Sequence, residues 1–333
     1  DEDVHVVERM TPRSRVIVAS PRFGLDELRE RLDAFRLEKL PIVDDNDHLV
    51  GLVTARDIEN IENFPLANKD KGGRLIVGAA IGATGDYLER AQGLIEIGAD
   101  VLVLDIANGQ SDVALKAVEA LRARWEHVEL VVGNIAFGRA IKRFQHLNVD
   151  GFKVGLGPGS ACTTRRNTGI GVPQLQAVYD CACSSGVPIN ADGGITRNGD
   201  VVLALMLGAS SVMLGGMLAG TDEAPGLTFR NSAGRTVKTF RGMASREAMH
   251  DRIRSEGADN PYEVSSGIAP EGVPQEIEPR GSVVPLIRDM ATNIASAVSY
   301  IGAESLADAR HTFLLYPEKY LIPLSEASRL ESF

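Results

Sequence analysis

The chain has 333 residues, 44% of them hydrophobic, with 35 Lys and Arg against 45 Asp and Glu for a formal charge of −10. That length suits a large core plus a smaller module, and the acidic balance excludes a nucleic-acid-binding surface, so an anionic ligand needs a local site rather than the global field. No apolar run is long enough to span a membrane, and the cysteines, Cys162, Cys181 and Cys183, match neither a zinc spacing nor a disulfide framework, which points to a reducing, cytoplasmic setting.

Asp1-Glu2-Asp3-Val4 reads as neither a natural start nor a leader, so a fragment of a longer protein is expected. Val16-Ile17-Val18-Ala19 predicts a short strand, and Leu25, Leu28, Leu32 and Phe35 at helical spacing predict a helix over residues 24–36. Leu40-Pro41-Ile42-Val43 predicts a second strand, turned by Asp44-Asp45-Asn46-Asp47 onto a third at residues 48–53, with a short helix starting near Ala55. This β-α-β-β-α unit over residues 1–62 resembles one CBS module, with Met10-Thr11-Pro12, Leu40-Pro41-Ile42-Val43-Asp44 and Gly51-Leu52-Val53-Thr54-Ala55-Arg56-Asp57 as the matching segments. Thr54 and Asp57, a hydroxyl and a carboxylate at a strand-to-helix turn, are candidates for the ribose of a regulatory purine nucleotide; capping of the helix by Thr54 is the alternative. Such modules bind nucleotides in pairs, so this one is expected to be the second of two.

Residues 63–73 read as a linker. Strands are then predicted near residues 74–80, 101–104, 130–132, 151–154, 188–190 and 211–214, with helical patterns between them, such as 87–97 and 112–125. Repeated βα units mean an α/β domain with a parallel sheet. A Gly, Asp or Asn cluster follows nearly every strand, which favours a closed (β/α)8 TIM barrel over residues 74–333 rather than an open sheet. Six strands are visible, so the first two of the eight are expected before residue 1. Residues 245–281 are polar and rich in Gly and Pro, and are expected to be a mobile flap. Ser328-Arg329-Leu330 has the form of a peroxisomal address but is not terminal, so a solvated tail is the preferred reading and a peroxisome-like organelle the alternative.

The strongest motif is Gly155-Leu156-Gly157-Pro158-Gly159-Ser160-Ala161-Cys162-Thr163-Thr164-Arg165, directly after a predicted strand. Its glycines let the backbone turn tightly and approach a ligand, and Ser160 offers a hydroxyl to a phosphate. Cys162 is then either a nucleophile at a strand end or an inert cysteine in a phosphate loop. The segment resembles the active-site loop of the IMP dehydrogenase/GMP reductase family. So do Arg74-Leu75-Ile76-Val77-Gly78-Ala79-Ala80-Ile81-Gly82, Ala191-Asp192-Gly193-Gly194-Ile195, Val212-Met213-Leu214-Gly215-Gly216-Met217 and Arg241-Gly242-Met243-Ala244-Ser245, in the family's order.

That resemblance implies that Cys162 attacks carbon 2 of a purine to give a thioimidate. It implies that Asp192 holds the ribose, and that Ser160, Gly194 and Gly216, with Gly193 and Gly215 on the same loops, hold the phosphate. Gly242 and Met243, flanked by Arg241 and Ala244, would meet the base. Asp105, Asn108 and Gly109 would face a nicotinamide cofactor, and backbone carbonyls of Gly157, Gly159 and Cys162 would form a potassium site. Family members are tetramers that CBS modules pair into octamers.

Within the family, the dehydrogenase hydrolyses the thioimidate with a flap Arg-Tyr pair, whereas the reductase expels ammonia from GMP and reduces the adduct with NADPH. Here Asp259-Asn260-Pro261-Tyr262 stands where dehydrogenases have Asp-Arg-Tyr-Phe, and Asp105-Ile106-Ala107-Asn108-Gly109, Asn167-Thr168-Gly169 and Gly215-Gly216-Met217 are reductase-like. Thr221-Asp222-Glu223-Ala224-Pro225-Gly226, Phe240-Arg241-Gly242-Met243 and Ala269-Pro270-Glu271-Gly272 look like a dehydrogenase. The missing arginine decides for GMP reductase, with GMP and IMP as its nucleotides and NADPH as reductant, and with Thr164 and Glu271 managing the proton on departing ammonia. The alternatives are an NAD-dependent IMP dehydrogenase and a non-catalytic nucleotide sensor.

Overall fold

The computed structural model describes residues 4–255 and 269–320. The motif Asp259-Asn260-Pro261-Tyr262 and the tripeptide Ser328-Arg329-Leu330 lie outside the described residues. The chain divides into two compact units, Asp1–Ile76 and Val77–Phe333.

In the first unit, helix α1 (Leu25–Ala34) buries Leu28 and Leu32. Strands β1 (Lys39–Val43) and β2 (Leu49–Thr54) pair antiparallel, and α2 (Ala55–Asn63) follows and buries Ile58. Asp44 closes the hairpin: its carboxylate accepts from the backbone N–H of His48 at 2.8 Å and of Asn46 at 2.9 Å, which holds its pKa below the usual range. The strand expected at Val16-Ile17-Val18-Ala19 shrinks to a single parallel bridge between Ala19 and Ile42. Ala19 N–H donates to Pro41 O and Val43 N–H donates to Ala19 O. The preceding rung would need an N–H from Pro41, which proline lacks.

The expected linker is also more ordered than its composition implied. Asp70 accepts from Gly72 N–H, Arg74 N–H and the Arg74 guanidinium, and Lys69 bridges Leu75, so residues 68–75 form a tight turn that belongs to the first unit.

The second unit is built on six parallel strands in sequential order: β3 (Gly78–Ile81), β4 (Val101–Asp105), β5 (Glu129–Ile135), β6 (Gly151–Val154), β7 (Ile189–Asp192) and β8 (Ser211–Met213). The third strand thus starts at Gly78, four residues later than the apolar run suggested. Helices α3 (Tyr87–Glu96), α4 (Asp112–Arg124), α5 (Gln174–Ser184) and α6 (Asn198–Met206) make crossovers. Every strand therefore points the same way, and all carboxyl ends open onto one side of a curled, barrel-like sheet. Leu102, Leu104, Leu130, Val132, Ile135, Ile189 and Val154 fill the core with the inner faces of α4 and α5. Phe144 packs edge-on against Phe152 with ring centroids 6.1 Å apart.

A three-stranded antiparallel sheet that the sequence did not announce follows β8 in the chain: β9 (Thr228–Arg230), β10 (Thr236–Arg241) and β11 (Pro274–Ile277). The segment read as one long flap is structured at both its described ends, as helix α7 (Arg246–Ser255) and as β11. β11 takes up the backbone groups of β10, a role that any side chain on β11 would leave invisible in the sequence. Helices α8 (Val283–Ile301) and α9 (Leu306–Leu315) complete the unit.

Candidate active site

The cleft at the carboxyl ends is lined by Asn134 near the end of β5, by the loops after β6, β7 and β8 and by the segments around Gly242 and Glu271. Its floor begins at Gly155. A Cβ there would lie 2.1 Å from Asp192 O, so only glycine lets the loop leave β6 beside the end of β7. The loop turns tightly at Cys162, whose N–H donates to Gly159 O at 3.0 Å. Cys162 is a free, half-buried thiol facing the cleft.

Its partners form a chain. The Cys162 thiol donates to Thr164 Oγ1 at 3.2 Å, and the Thr164 hydroxyl donates to Glu271 Oε2. Glu271 is seated by its backbone: Thr163 N–H donates to Glu271 O at 2.8 Å, and Glu271 N–H donates to Ala244 O at 3.0 Å. Val273 N–H donates to Ala161 O, and Gln275 Nε2 donates to Ser160 O at 2.7 Å. Residues 271–275 therefore run along residues 160–163 like an extra strand, and Gly272 sits where a Cβ would be 3.0 Å from Ser245 N. Thr163 is buried, and its hydroxyl accepts from Asn167 Nδ2, which also reaches Pro270 O. The three residues expected to carry the chemistry are thus one hydrogen-bonded unit across two loops.

Among the phosphate candidates, Gly193 and Gly194 have φ of 86° and 76°, left-handed values that favour glycine. A Cβ on Gly216 would lie 2.9 Å from Ser160 Oγ, so the hydroxyl and the backbone of the last loop face each other closely. Ser160, Gly193, Gly194, Gly215 and Gly216 all line the cleft, as do Gly242, Met243 and Ala244. Arg241 does not: its guanidinium donates to Asp251 of α7 at 2.5 Å.

Asp192 lines the cleft with a carboxylate that accepts from Asn134 Nδ2 at 2.9 Å and from Lys153 Nζ. Lys153 is buried on β6 and lies 3.1 Å from Asp105 Oδ1 as well, so one ammonium ties the ribose candidate to the cofactor candidate. A buried cation is tolerable only with such pairing. Asp105, Asn108 and Gly109 all stand apart from the cleft lining. Gly109 has a packing reason of its own, since a Cβ would be 2.6 Å from the backbone of Gly133, and its N–H donates to Asn134 O. Lys153 and Asn134 were missed in the sequence; a lysine inside Gly-Phe-Lys-Val, otherwise a buried apolar strand, was the available signal for the first.

A nicotinamide group fits this end of the cleft in one respect. Asn134 Oδ1 is buried without a hydrogen-bond partner in the protein, leaving an acceptor unsatisfied beside Asp192 and Lys153. Of the residues expected to hold a cation, Gly157, Gly159 and Cys162 all line the cleft, and Gly159 O already accepts from Cys162 N–H. Among the described residues no cluster of His, Cys, Asp and Glu is arranged to hold a metal ion.

In the first unit, Thr54 and Asp57 are joined to each other. Asp57 N–H donates to Thr54 Oγ1 at 3.1 Å, and Asp57 Oδ2 accepts from Thr54 N–H at 2.9 Å and from the Thr54 hydroxyl at 2.7 Å. This is a capping box on α2.

A model of the IMP dehydrogenase / GMP reductase domain matches residues 48–332, and a CBS-domain model matches residues 5–61. The inosine-5'-monophosphate dehydrogenase of Nitrosopumilus maritimus is 44% identical over 295 residues, covering 87% of this chain and 62% of that protein. The inosine-5'-monophosphate dehydrogenase of Streptococcus pyogenes is 39% identical over 335 residues, covering 100% of this chain and 66% of its own length. The chain thus spans somewhat less than two thirds of these relatives. The crystal structure of a cysteine-to-alanine variant of Trypanosoma brucei GMP reductase in complex with guanosine 5'-monophosphate superposes with a TM-score of 0.85 at 37% identity, over 100% of this chain and 68% of that one. With a CBS domain ahead of it, this chain belongs to the IMP dehydrogenase / GMP reductase family.

Proposed function

We propose that the chain is the greater part of a GMP reductase, which converts GMP, NADPH and two protons to IMP, NADP+ and ammonium. The observation that carries the reading is the unbroken path from the Cys162 thiol through the Thr164 hydroxyl to the Glu271 carboxylate. As Cys162 Sγ bonds to carbon 2 of GMP, its proton passes to Thr164 and the Thr164 proton to Glu271. The same path returns a proton to the amine on carbon 2 of this tetrahedral adduct, so that the carbon–nitrogen bond breaks, ammonia leaves and the thioimidate forms. When bound, NADPH would supply the hydride that reduces carbon 2; the carbon–sulfur bond would then break, regenerating Cys162 with IMP. Asp192, Ser160, Gly194 and Gly216 hold the ribose and phosphate meanwhile, and Lys153, within ion-pair reach of Asp192 and Asp105, holds the two carboxylates in place. Backbone carbonyls of Gly157, Gly159 and Cys162 would hold potassium near the loop.

Asp259-Asn260-Pro261-Tyr262 supports the reductase, because no arginine stands there to activate water. IMP dehydrogenase is the second reading, favoured by the names of the relatives at 39–44% identity. Purine nucleotides bound at the CBS unit would regulate either enzyme. The deciding experiment gives the full-length protein GMP with NADPH and, separately, IMP with NAD. IMP formation from GMP with negligible XMP formation is expected. Oxidation of IMP at about 1 per second or faster, with GMP ignored, would leave the family and overturn the reductase.

A further inference from the structure

β6 and β7 pair as far as Val154 and Ala191 and then part, each giving rise to one loop of the cleft. At the point of separation the side chain of Gln174, the first residue of α5, reaches between them. Its Nε2 donates to Val154 O at 2.7 Å and to Asp192 O at 3.2 Å. Val154 O is the last carbonyl before the Cys162 loop, and Asp192 O the last before Gly193-Gly194.

The orientation of this amide is determined by its neighbours. Two carbonyl oxygens face it, so the nitrogen must point to both. The cost is visible on the other side: Gln174 Oε1 is buried without a partner. It lies 3.1 Å from where a Cβ on Gly155 would stand, and a Cβ on Gly194 would be 3.2 Å from Gln174 Cβ. An unsatisfied buried acceptor is destabilising, and an apolar residue of the same length would remove it. What such a residue would lose is the pair of bonds that set the gap between the two loops.

We propose that Gln174 is a positioning residue: its amide fixes the spacing between the Cys162 loop and the Asp192–Gly194 loop, and through it the alignment of the thiol with carbon 2 of a nucleotide anchored on the second loop. The inference rests on the nucleophile role of Cys162 given above. It is independent of which branch of the family the protein belongs to.

Two variants of the full-length protein test it. Gln174→Met keeps the length and removes both donors; Gln174→Glu keeps the shape and sets an acceptor against two carbonyls. A misplacement near 1 Å costs on the order of 100-fold in rate, so kcat should fall by about that factor in the Met variant, and further in the Glu variant, with KM for the nucleotide within about threefold of wild type. Alkylation of Cys162 by iodoacetamide without nucleotide should stay within about twofold, since the thiol itself is not buried by the change. Packing alone predicts the opposite order, because Glu is closer to Gln in shape than Met is. A Glu variant as active as the Met variant or better, either variant within about twofold of wild type in kcat, or KM and alkylation collapsing together with kcat, would overturn the proposal. The ratios are read on whichever substrate pair the wild type turns over. Turnover of IMP and NAD alone overturns the reductase and leaves Gln174 to be judged on the same ratios; a wild type silent on both pairs overturns both readings.

Discussion

Replacing Thr164 by Val tests the chemistry most directly. Valine has nearly the shape of threonine but no hydroxyl, so it cuts the path between Cys162 Sγ, 3.2 Å away, and Glu271 while leaving both ends in place. Glu271 keeps its seat, because that depends on backbone bonds to Thr163 and Ala244. Loss of a general acid–base group costs about 10²- to 10⁴-fold in rate, or about 2.7–5.4 kcal/mol at 1.36 kcal/mol per decade. The stability cost is that of one side-chain hydrogen-bond pair, about 1 kcal/mol. Steady-state kcat from NADPH consumption with saturating GMP measures the first, and single-turnover ammonia release locates the affected step. Thr164→Ser restores the hydroxyl and should recover activity to within about tenfold of wild type. A Val variant within about threefold of wild type, or a Ser variant as poor as Val, would show that no proton travels this path.

Cys162→Ala should abolish turnover yet bind GMP nearly as well, since Ser160, Asp192 and the Gly194 and Gly216 backbones remain; isothermal titration beside an activity assay checks both, and surviving turnover would end the covalent mechanism. Asp57→Ala should cost about 1 kcal/mol of CBS-unit stability through the lost cap, and purine nucleotides that shift the activity of the wild type should no longer do so; equal shifts in both proteins would restrict Asp57 to capping. Burial pushes the Cys181 thiol up to about 12, whereas Cys183 is exposed and within hydrogen-bonding reach of Tyr179. A thiol reagent on the native protein should therefore modify Cys162 and Cys183 and reach Cys181 only on unfolding; modification of Cys181 in the native state would contradict its packing. Because a raised folded pKa disfavours the charged thiolate, the stability this site contributes is complete below about pH 9 and declines as pH rises toward 12, which thermal melts of wild type and Cys181→Ala across that range will reveal.

The parts of this protein that were legible in its sequence are those encoded locally. The alternation of β3 to β8 with helices follows from short apolar runs and helical periodicity, and strand positions came out within a few residues. The segments of the cleft around Cys162, Gly193-Gly194 and Gly215-Gly216 stood out because each is a short contiguous motif, and together they follow the order of a family pattern; of the two glycine pairs, Gly193-Gly194 takes the left-handed conformation. The strand expected over Val16-Ile17-Val18-Ala19 failed for a reason outside its own residues, the missing N–H of Pro41.

Tertiary structure decided the rest. Glu271 meets Thr164 across 107 positions because backbone groups of Glu271 and Val273 pair with those of Thr163, Ala244 and Ala161, and such pairing leaves no mark on side-chain identity. Lys153 was readable as an oddity in an apolar strand, but its two carboxylates come from β4 and β7, on either side of it in the curled sheet. Gln174 carries no motif at all, and only the parting of β6 from β7 gives its amide a purpose. Side-chain periodicity determined which segments became strands and helices; curvature of the sheet and backbone hydrogen bonds between distant loops determined which of their residues share a site.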